Sequence, residues 1–179
     1  VDKFRDVIFP GGEMNKDLVG QSVKKVADAA GVTIPEGTKL IILAPAEYGD
    51  KDYFSKEKMC PVMTAYKYDN WEEAVAIAKA NLEYFGAGHS CSIQSNNEAH
   101  IEYAGEVLPV SRVLINQSCA SQNGGAFCNA LSPTTTLGCG SWGNNSISEN
   151  LTYYHLFNKS RIAFTKPGAT QPSDEEIWG

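Results

Sequence analysis

Four short runs of β-forming residues, Lys39–Pro45, Pro61–Tyr68, His89–Ser95 and Arg112–Gln117, alternate with segments of helical period, and this alternation constrains the fold more than any other feature. Parallel strands need a long crossover, usually a helix, whereas antiparallel neighbours are joined by tight turns. The expected fold is therefore α/β, a mostly parallel open sheet with flanking helices. Val19, Val23, Val26, Ala27 and Ala30 recur at helical spacing, which predicts a helix over Asp17–Ala30 stopped by Gly31. Asn70 followed three residues later by Glu73 reads as a capping box. It opens a helix with the apolar stripe Trp71, Ala74, Val75, Ala78, Leu82 and Phe85. Asn96-Asn97 starts a shorter helix to about Gly105. Further helix is expected over Ser148–Asn158 and a last strand over Arg161–Thr165. Ala46–Lys56 reads as a charged surface loop, Ser118–Thr136 as irregular, and Lys166–Gly179 as a tail without periodicity.

The composition excludes several functions. With 15 Lys and Arg against 21 Asp and Glu, the net charge is −6, and no basic cluster is dense enough to neutralise a phosphate backbone. No apolar run approaches the roughly 20 residues of a membrane span. The five cysteines, Cys60, Cys91, Cys119, Cys128 and Cys139, are odd in number and lack zinc-type spacing, so neither a disulfide framework nor a metal site is expected. A reducing, cytoplasmic location follows from the same pattern. Neither a Gly-x-Gly-x-x-Gly fingerprint nor a phosphate-binding Walker loop occurs. The first residue is Val1 rather than Met, and no secretory leader precedes the fold, so the sequence is expected to begin inside a longer protein.

The stretch Thr134–Glu149 holds three glycines, a cysteine and a tryptophan in a composition that suits neither helix nor strand. Such a loop brings backbone N–H groups close to something. Cys139, between Gly138 and Gly140, is either a nucleophile or a small residue packed in a tight turn. His89 follows Gly86-Ala-Gly88, so a polar group facing a cleft competes with a satisfied structural histidine. Its place at the start of a strand departs from the rule that α/β sites gather at carboxyl ends. Glu57 could accept hydroxyl hydrogen bonds from a ribose, or be one more charge in Lys56-Glu57-Lys58. Arg112 could grip a substrate carboxylate, or sit at a strand edge. His100 and His155 read as packing or surface residues on helices.

Taken in order, Glu57-Lys-Met-Cys-Pro-Val62, Phe85-Gly-Ala-Gly-His-Ser90, Ser111-Arg-Val-Leu-Ile-Asn116 and Thr136-Leu-Gly-Cys-Gly-Ser-Trp-Gly-Asn-Asn-Ser-Ile-Ser-Glu-Asn150 resemble the CoA-acylating branch of the aldehyde dehydrogenase superfamily. The resemblance runs over nearly the whole chain. Pro133-Thr-Thr-Thr136, Gly143-Asn-Asn-Ser146 and Glu175-Glu-Ile-Trp-Gly179 point within it to the CoA-dependent succinate-semialdehyde dehydrogenases.

The resemblance implies that residues 1–160 are a portion of a catalytic domain and that 161–179 form a strand and tail, an oligomerisation element. It implies NAD or NADP as cofactor and coenzyme A as co-substrate. The small-molecule substrates are an aldehyde and its acyl-CoA, interconverted through a cysteine thioester, and the protein is expected to be a homo-oligomer. The nucleophilic cysteine and the cofactor's glycine loop are expected before Val1, which would leave the present residues inactive alone. Glu57 matches the glutamate at the nicotinamide ribose. His89 matches a histidine near the acyl and CoA site. Gly138, Cys139 and Gly140 match a loop facing the catalytic tunnel, which removes Cys139 as nucleophile. Two other readings stand beside this one: a binding or assembly domain using Arg161–Thr165 as an intersubunit strand, and a thiol enzyme built on Cys139 and His89.

Overall fold

The computed structural model describes residues 1–179. Helix α1 (Asp2–Ile8) and helix α2 (Val23–Ala29) precede strand β1 (Ile41–Leu43), which pairs in parallel with β2 (Val62–Thr64). Helix α3 (Trp71–Tyr84) leads to β3 (Gly88–Ile93). Helix α4 (Glu98–Val107) then crosses over to β4 (Val110–Ile115), parallel to β3. Short helices α5 (Cys119–Gln122) and α6 (Asp174–Trp178) follow. The pairing is parallel throughout, as the alternation predicts, but the strands form two separate two-stranded sheets.

Each sheet has its own core. Around β1 and β2, Phe4, Ile8, Phe9, Leu18, Val26, Phe54 and Val62 are buried. Around β3 and β4, Val75, Ile93, Ala104, Leu108 and Val110 are buried, with Trp71, Leu82, Cys91 and Val113 packed against them. The stripe read on α3 thus faces its core, except for Phe85, which is exposed. The Asn70 side chain accepts from the Glu73 amide at 2.9 Å, and Glu73 reaches back to the Asp69 amide.

The surface is large for the mass. A compact monomer of 19.4 kDa scales to about 8,500 Å² of accessible surface. The observed value is 12,483 Å². Part of the excess lies on the outer face of β1–β2, where the register partners Ile42 and Met63 are both exposed. The run Leu40–Ala44 is therefore buried on one face only.

Five expectations are corrected. The helix over Asp17–Ala30 breaks into a 3₁₀ turn (Lys16–Leu18) and α2, because the Ser22 side chain caps at Lys25 N. Ala46–Lys56 is not only surface: Asp52 and Phe54 are buried in it. Ser148–Asn158 forms only the turn Tyr153–His155, since no apolar face of that segment is buried and an isolated helix of that length is marginal. Arg161–Thr165 has no strand partner and stays exposed. The tail contains α6, whose Ser173 and Glu176 close a capping box.

Asp52 anchors the first core. Its carboxylate takes the Arg5 fork, with Nη2 at 2.8 Å and Nε at 3.3 Å, and the Phe54 amide at 2.9 Å. Burial alone would raise the Asp52 carboxyl. The Arg5 hydrogen bonds, the Phe54 amide and the charges of Arg5 and Lys58 outweigh it and hold it below the ordinary carboxylate range. A depressed folded pKa contributes stability above the unfolded value of about 4, lost as pH falls through the folded value. The urea midpoint is therefore expected to drop between about pH 5 and pH 2, with Asp52→Asn flattening that acid limb. An unchanged limb in the variant would assign the acid sensitivity elsewhere.

Candidate functional site

The Gly-rich segment folds as a closed loop. A bridge between Leu137 and Asn150 seals its base, reinforced by Leu151 N to Thr136 O at 3.1 Å. Inside it, Gly138 N bonds Glu149 O at 3.0 Å, Gly140 N bonds Ile147 O at 2.8 Å, and Cys139 N bonds the Asn145 side chain at 3.0 Å. All three amides are satisfied within the loop, so they are not the outward-facing donors that the sequence suggested. A side chain at Gly138 would lie 2.5 Å from the Ile147 carbonyl oxygen, which explains that glycine by the loop's own closure.

The loop seats on the start of β3. Gly88 has φ +88° and is buried, and a Cβ there would sit 2.2 Å from the Cys139 carbonyl oxygen. Cys139 is half-buried with its Sγ nearest the Leu137 carbonyl at 3.9 Å. Its geometry is that of a packing residue between Gly88 and Gly143. No hydrogen bond joins it to His89. The exposed His89 ring instead meets the Ser90 hydroxyl at 3.2 Å through Nδ1.

Arg112 is the largest departure from expectation. It lies inside β4, in register with Ser90, and is 4% exposed, so it is a buried residue and is not free to hold a carboxylate. Its Nε donates to Ser90 Oγ at 2.9 Å, and Nη2 donates to the carbonyls of His89 at 3.0 Å and Gly138 at 2.8 Å. Nη1 reaches Asn150 Oδ1 at 3.5 Å. Asn150, also buried, donates onward to Ser132 O at 2.8 Å and Asn123 O at 3.1 Å. Sequence spacing could not reveal this pairing across 38 residues.

Glu57 belongs to the other half of the chain. It is exposed and makes no side-chain hydrogen bond or ion pair, which leaves both oxygens free to accept hydroxyls. Its neighbour Lys58 carries no local signal in the sequence beyond its place in Lys56-Glu57-Lys58. The ammonium is held by the carbonyls of Phe54 and Lys56 and by Thr64 Oγ1, and burial pushes its pKa down. No hydrogen bond connects Glu57 or Lys58 with His89 or the loop.

Among the other thiols, burial pushes Cys91 up to about 11 and also raises Cys60 and Cys119. Lys58 opposes the shift at Cys60, and Arg112 and Ser90 oppose it at Cys119. No group of three His, Cys, Asp or Glu side chains is arranged to hold a metal ion, and no helix is long and apolar enough to cross a membrane.

No protein-family model matches the chain. All 179 residues align at 57% identity with the succinate-semialdehyde dehydrogenase (acetylating) of Clostridium kluyveri, covering 39% of that protein. The chain is homologous to part of the acylating aldehyde dehydrogenases. A sulfoacetaldehyde dehydrogenase of Acholeplasma sp. is 42% identical over 93% of the chain and 34% of its own length. The crystal structure of an acetylating aldehyde dehydrogenase from Geobacillus thermoglucosidasius superposes with a TM-score of 0.84 at 34% identity, over 96% of the chain and 38% of that structure. The chain thus spans about two fifths of the acylating aldehyde dehydrogenases it matches. Parallel pairing with flanking helices is the fold shared with them over this span.

Proposed function

We propose that the chain forms part of the catalytic domain of a CoA-acylating, NAD(P)-dependent aldehyde dehydrogenase that acts on succinic semialdehyde in the cytoplasm. The observation that carries this reading is the 57% identity, over all 179 residues, with about two fifths of a succinate-semialdehyde dehydrogenase (acetylating). In it, Glu57 accepts hydroxyl hydrogen bonds from the cofactor's ribose, a role its free, exposed carboxylate fits. His89 presents a ring nitrogen at the mouth of the site, and its Nδ1 contact with Ser90 leaves Nε2 to orient an acyl oxygen or the incoming thiol. Gly138, Cys139 and Gly140 supply a rigid wall that keeps water from the acyl group. The bound nicotinamide supplies the hydride acceptor. The nucleophilic thiol is assigned outside these residues.

The test is an assay of the full-length protein with CoA, NAD or NADP, and succinic semialdehyde, sulfoacetaldehyde or acetaldehyde. CoA-dependent acyl-CoA formation, fastest with succinic semialdehyde, is the expected result. Oxidation that ignores CoA would overturn the class, and a faster rate with another aldehyde would overturn the substrate. Thiol labelling followed by mass spectrometry bears on the competing cysteine reading. The exposed Cys128 is expected to react first and Cys91 last, because a thiol raised to about 11 carries little thiolate at neutral pH. Cys139 outpacing Cys128 would restore it as a nucleophile.

A homo-oligomer is the second part of the proposal. The segment Arg161–Thr165 leaves Ile162 85% and Phe164 89% exposed with no strand beside them, which suits an edge offered to another subunit.

A further inference from the structure

We propose that Arg112 is a positioning residue, fixing the start of β3, with His89, against the Leu137–Asn150 loop. This inference rests on the acylating reading only for its kinetic consequence. The loop is internally saturated: Gly138, Cys139 and Gly140 all spend their amides within it. It therefore moves as a unit, and what sets its place is what ties it to the sheet. Two kinds of tie are present. One is packing without direction, the close approach of Gly88 to Cys139 and of the turn Ser141–Gly143 to β3. The other is the Arg112 fork, whose single Nη2 donates to His89 O at 3.0 Å and Gly138 O at 2.8 Å, so one nitrogen spans the strand and the loop.

Nε on Ser90 and Nη1 on Asn150 fix the plane of that fork, and Asn150 extends the tie to Ser132 and Asn123. All four acceptors are neutral, and no acidic side chain bonds the guanidinium. A buried cation without a counter-ion is a costly way to join two segments. Only a planar, multi-donor group, however, meets four acceptors on the strand and the loop at once, and a lysine ammonium has no such fixed fork. The arrangement makes sense where relative placement of His89 and the loop matters.

The experiment uses the full-length enzyme carrying Arg112→Lys, which keeps the charge and loses the fork. A shift of the loop by about 1 Å is expected to lower kcat roughly 10- to 100-fold, with KM for aldehyde and for NAD(P) nearly unchanged. Amide exchange at Gly88 and His89, whose bonds to Pro109 O and Gly86 O hold the start of β3, should rise in parallel. Ser90→Ala removes the Nε acceptor together with the hydroxyl beside His89 Nδ1; it is the second variant should Arg112→Lys not fold, with a smaller fall in kcat, the same constancy of KM, and a rise in exchange that loss of the exposed His89 contact alone would not give. Wild-type kcat and unchanged exchange in a folded variant would overturn the proposal, as would a loss that appears in KM alone. If the wild-type protein shows no CoA-dependent aldehyde chemistry, the functional reading fails while the exchange measurement still decides whether Arg112 holds the loop.

Discussion

Phe54→Ala is expected to cost about 3–5 kcal/mol, the range for removing a fully buried phenylalanine. Phe54 is 0% exposed, packs edge-on against Phe9 at 6.0 Å, and lies under the Arg5 guanidinium at 5.1 Å. Its amide also bonds the Asp52 carboxylate, so the ring and the Arg5–Asp52 fork form one assembly. Total stabilities of domains run to about 5–15 kcal/mol, so the variant is expected to lose a large share of its first core. Urea titration followed by amide exchange in α2 measures the effect. Phe164→Ala is the control: that ring is 89% exposed, and its loss should stay within about 0.5 kcal/mol. Equal losses from both would mean that Phe54 is not the keystone its burial implies.

Gly88→Ala carries the second large effect. A left-handed or extreme positive φ costs a side-chain-bearing residue about 1–3 kcal/mol. Overlap with well-packed atoms adds about 1–3 kcal/mol more. At Gly88 both apply, since the new Cβ would meet the Cys139 carbonyl oxygen at 2.2 Å and the Cys139 Cβ at 2.8 Å. The sum is about 2–6 kcal/mol, relieved only if the loop lifts from β3. Gly86→Ala isolates the two contributions, because Gly86 has φ +107° with nothing within 4 Å of a Cβ. The urea midpoint is expected to fall further for Gly88→Ala than for Gly86→Ala. Equal shifts would show that backbone strain alone matters and that the loop does not bear on β3.

Local signals in the sequence carry much of this fold. Asn70, Glu73 and the stripe on α3 define that helix because caps and periodicity act within a few residues. The β3–α4–β4 unit follows from alternation, with strand limits shifted by one or two residues. The Ser173-x-x-Glu176 cap of α6 is equally local, and reading the tail as structureless overlooks it. Long-range causes are different. Arg112 reads as an edge residue until Asn150 and Gly138 are brought to it across the fold. Phe54 reads as part of a charged loop because a single apolar residue in a 3₁₀ turn has no period. Ser148–Asn158 has helical propensity but no surface in this chain against which to spend it. At the site, composition marks the Gly-rich loop, but only coordinates reveal that its amides face inward.

The separation of the two cores has a consequence for how the protein comes apart. The clusters around β1–β2 and β3–β4 have no buried residue in common. Such clusters are expected to lose structure in separate steps, coupled through α3, where the Asn81 side chain accepts from the Gly49 amide at 2.8 Å. The tryptophans are unevenly distributed between them. Trp71 is packed against the second cluster, stacked on His100 at 4.9 Å, whereas Trp142 and Trp178 are exposed and the first cluster has none. Indole emission is consequently expected to report chiefly on the melting of the β3–β4 half, and only weakly on the half that Phe54 holds together.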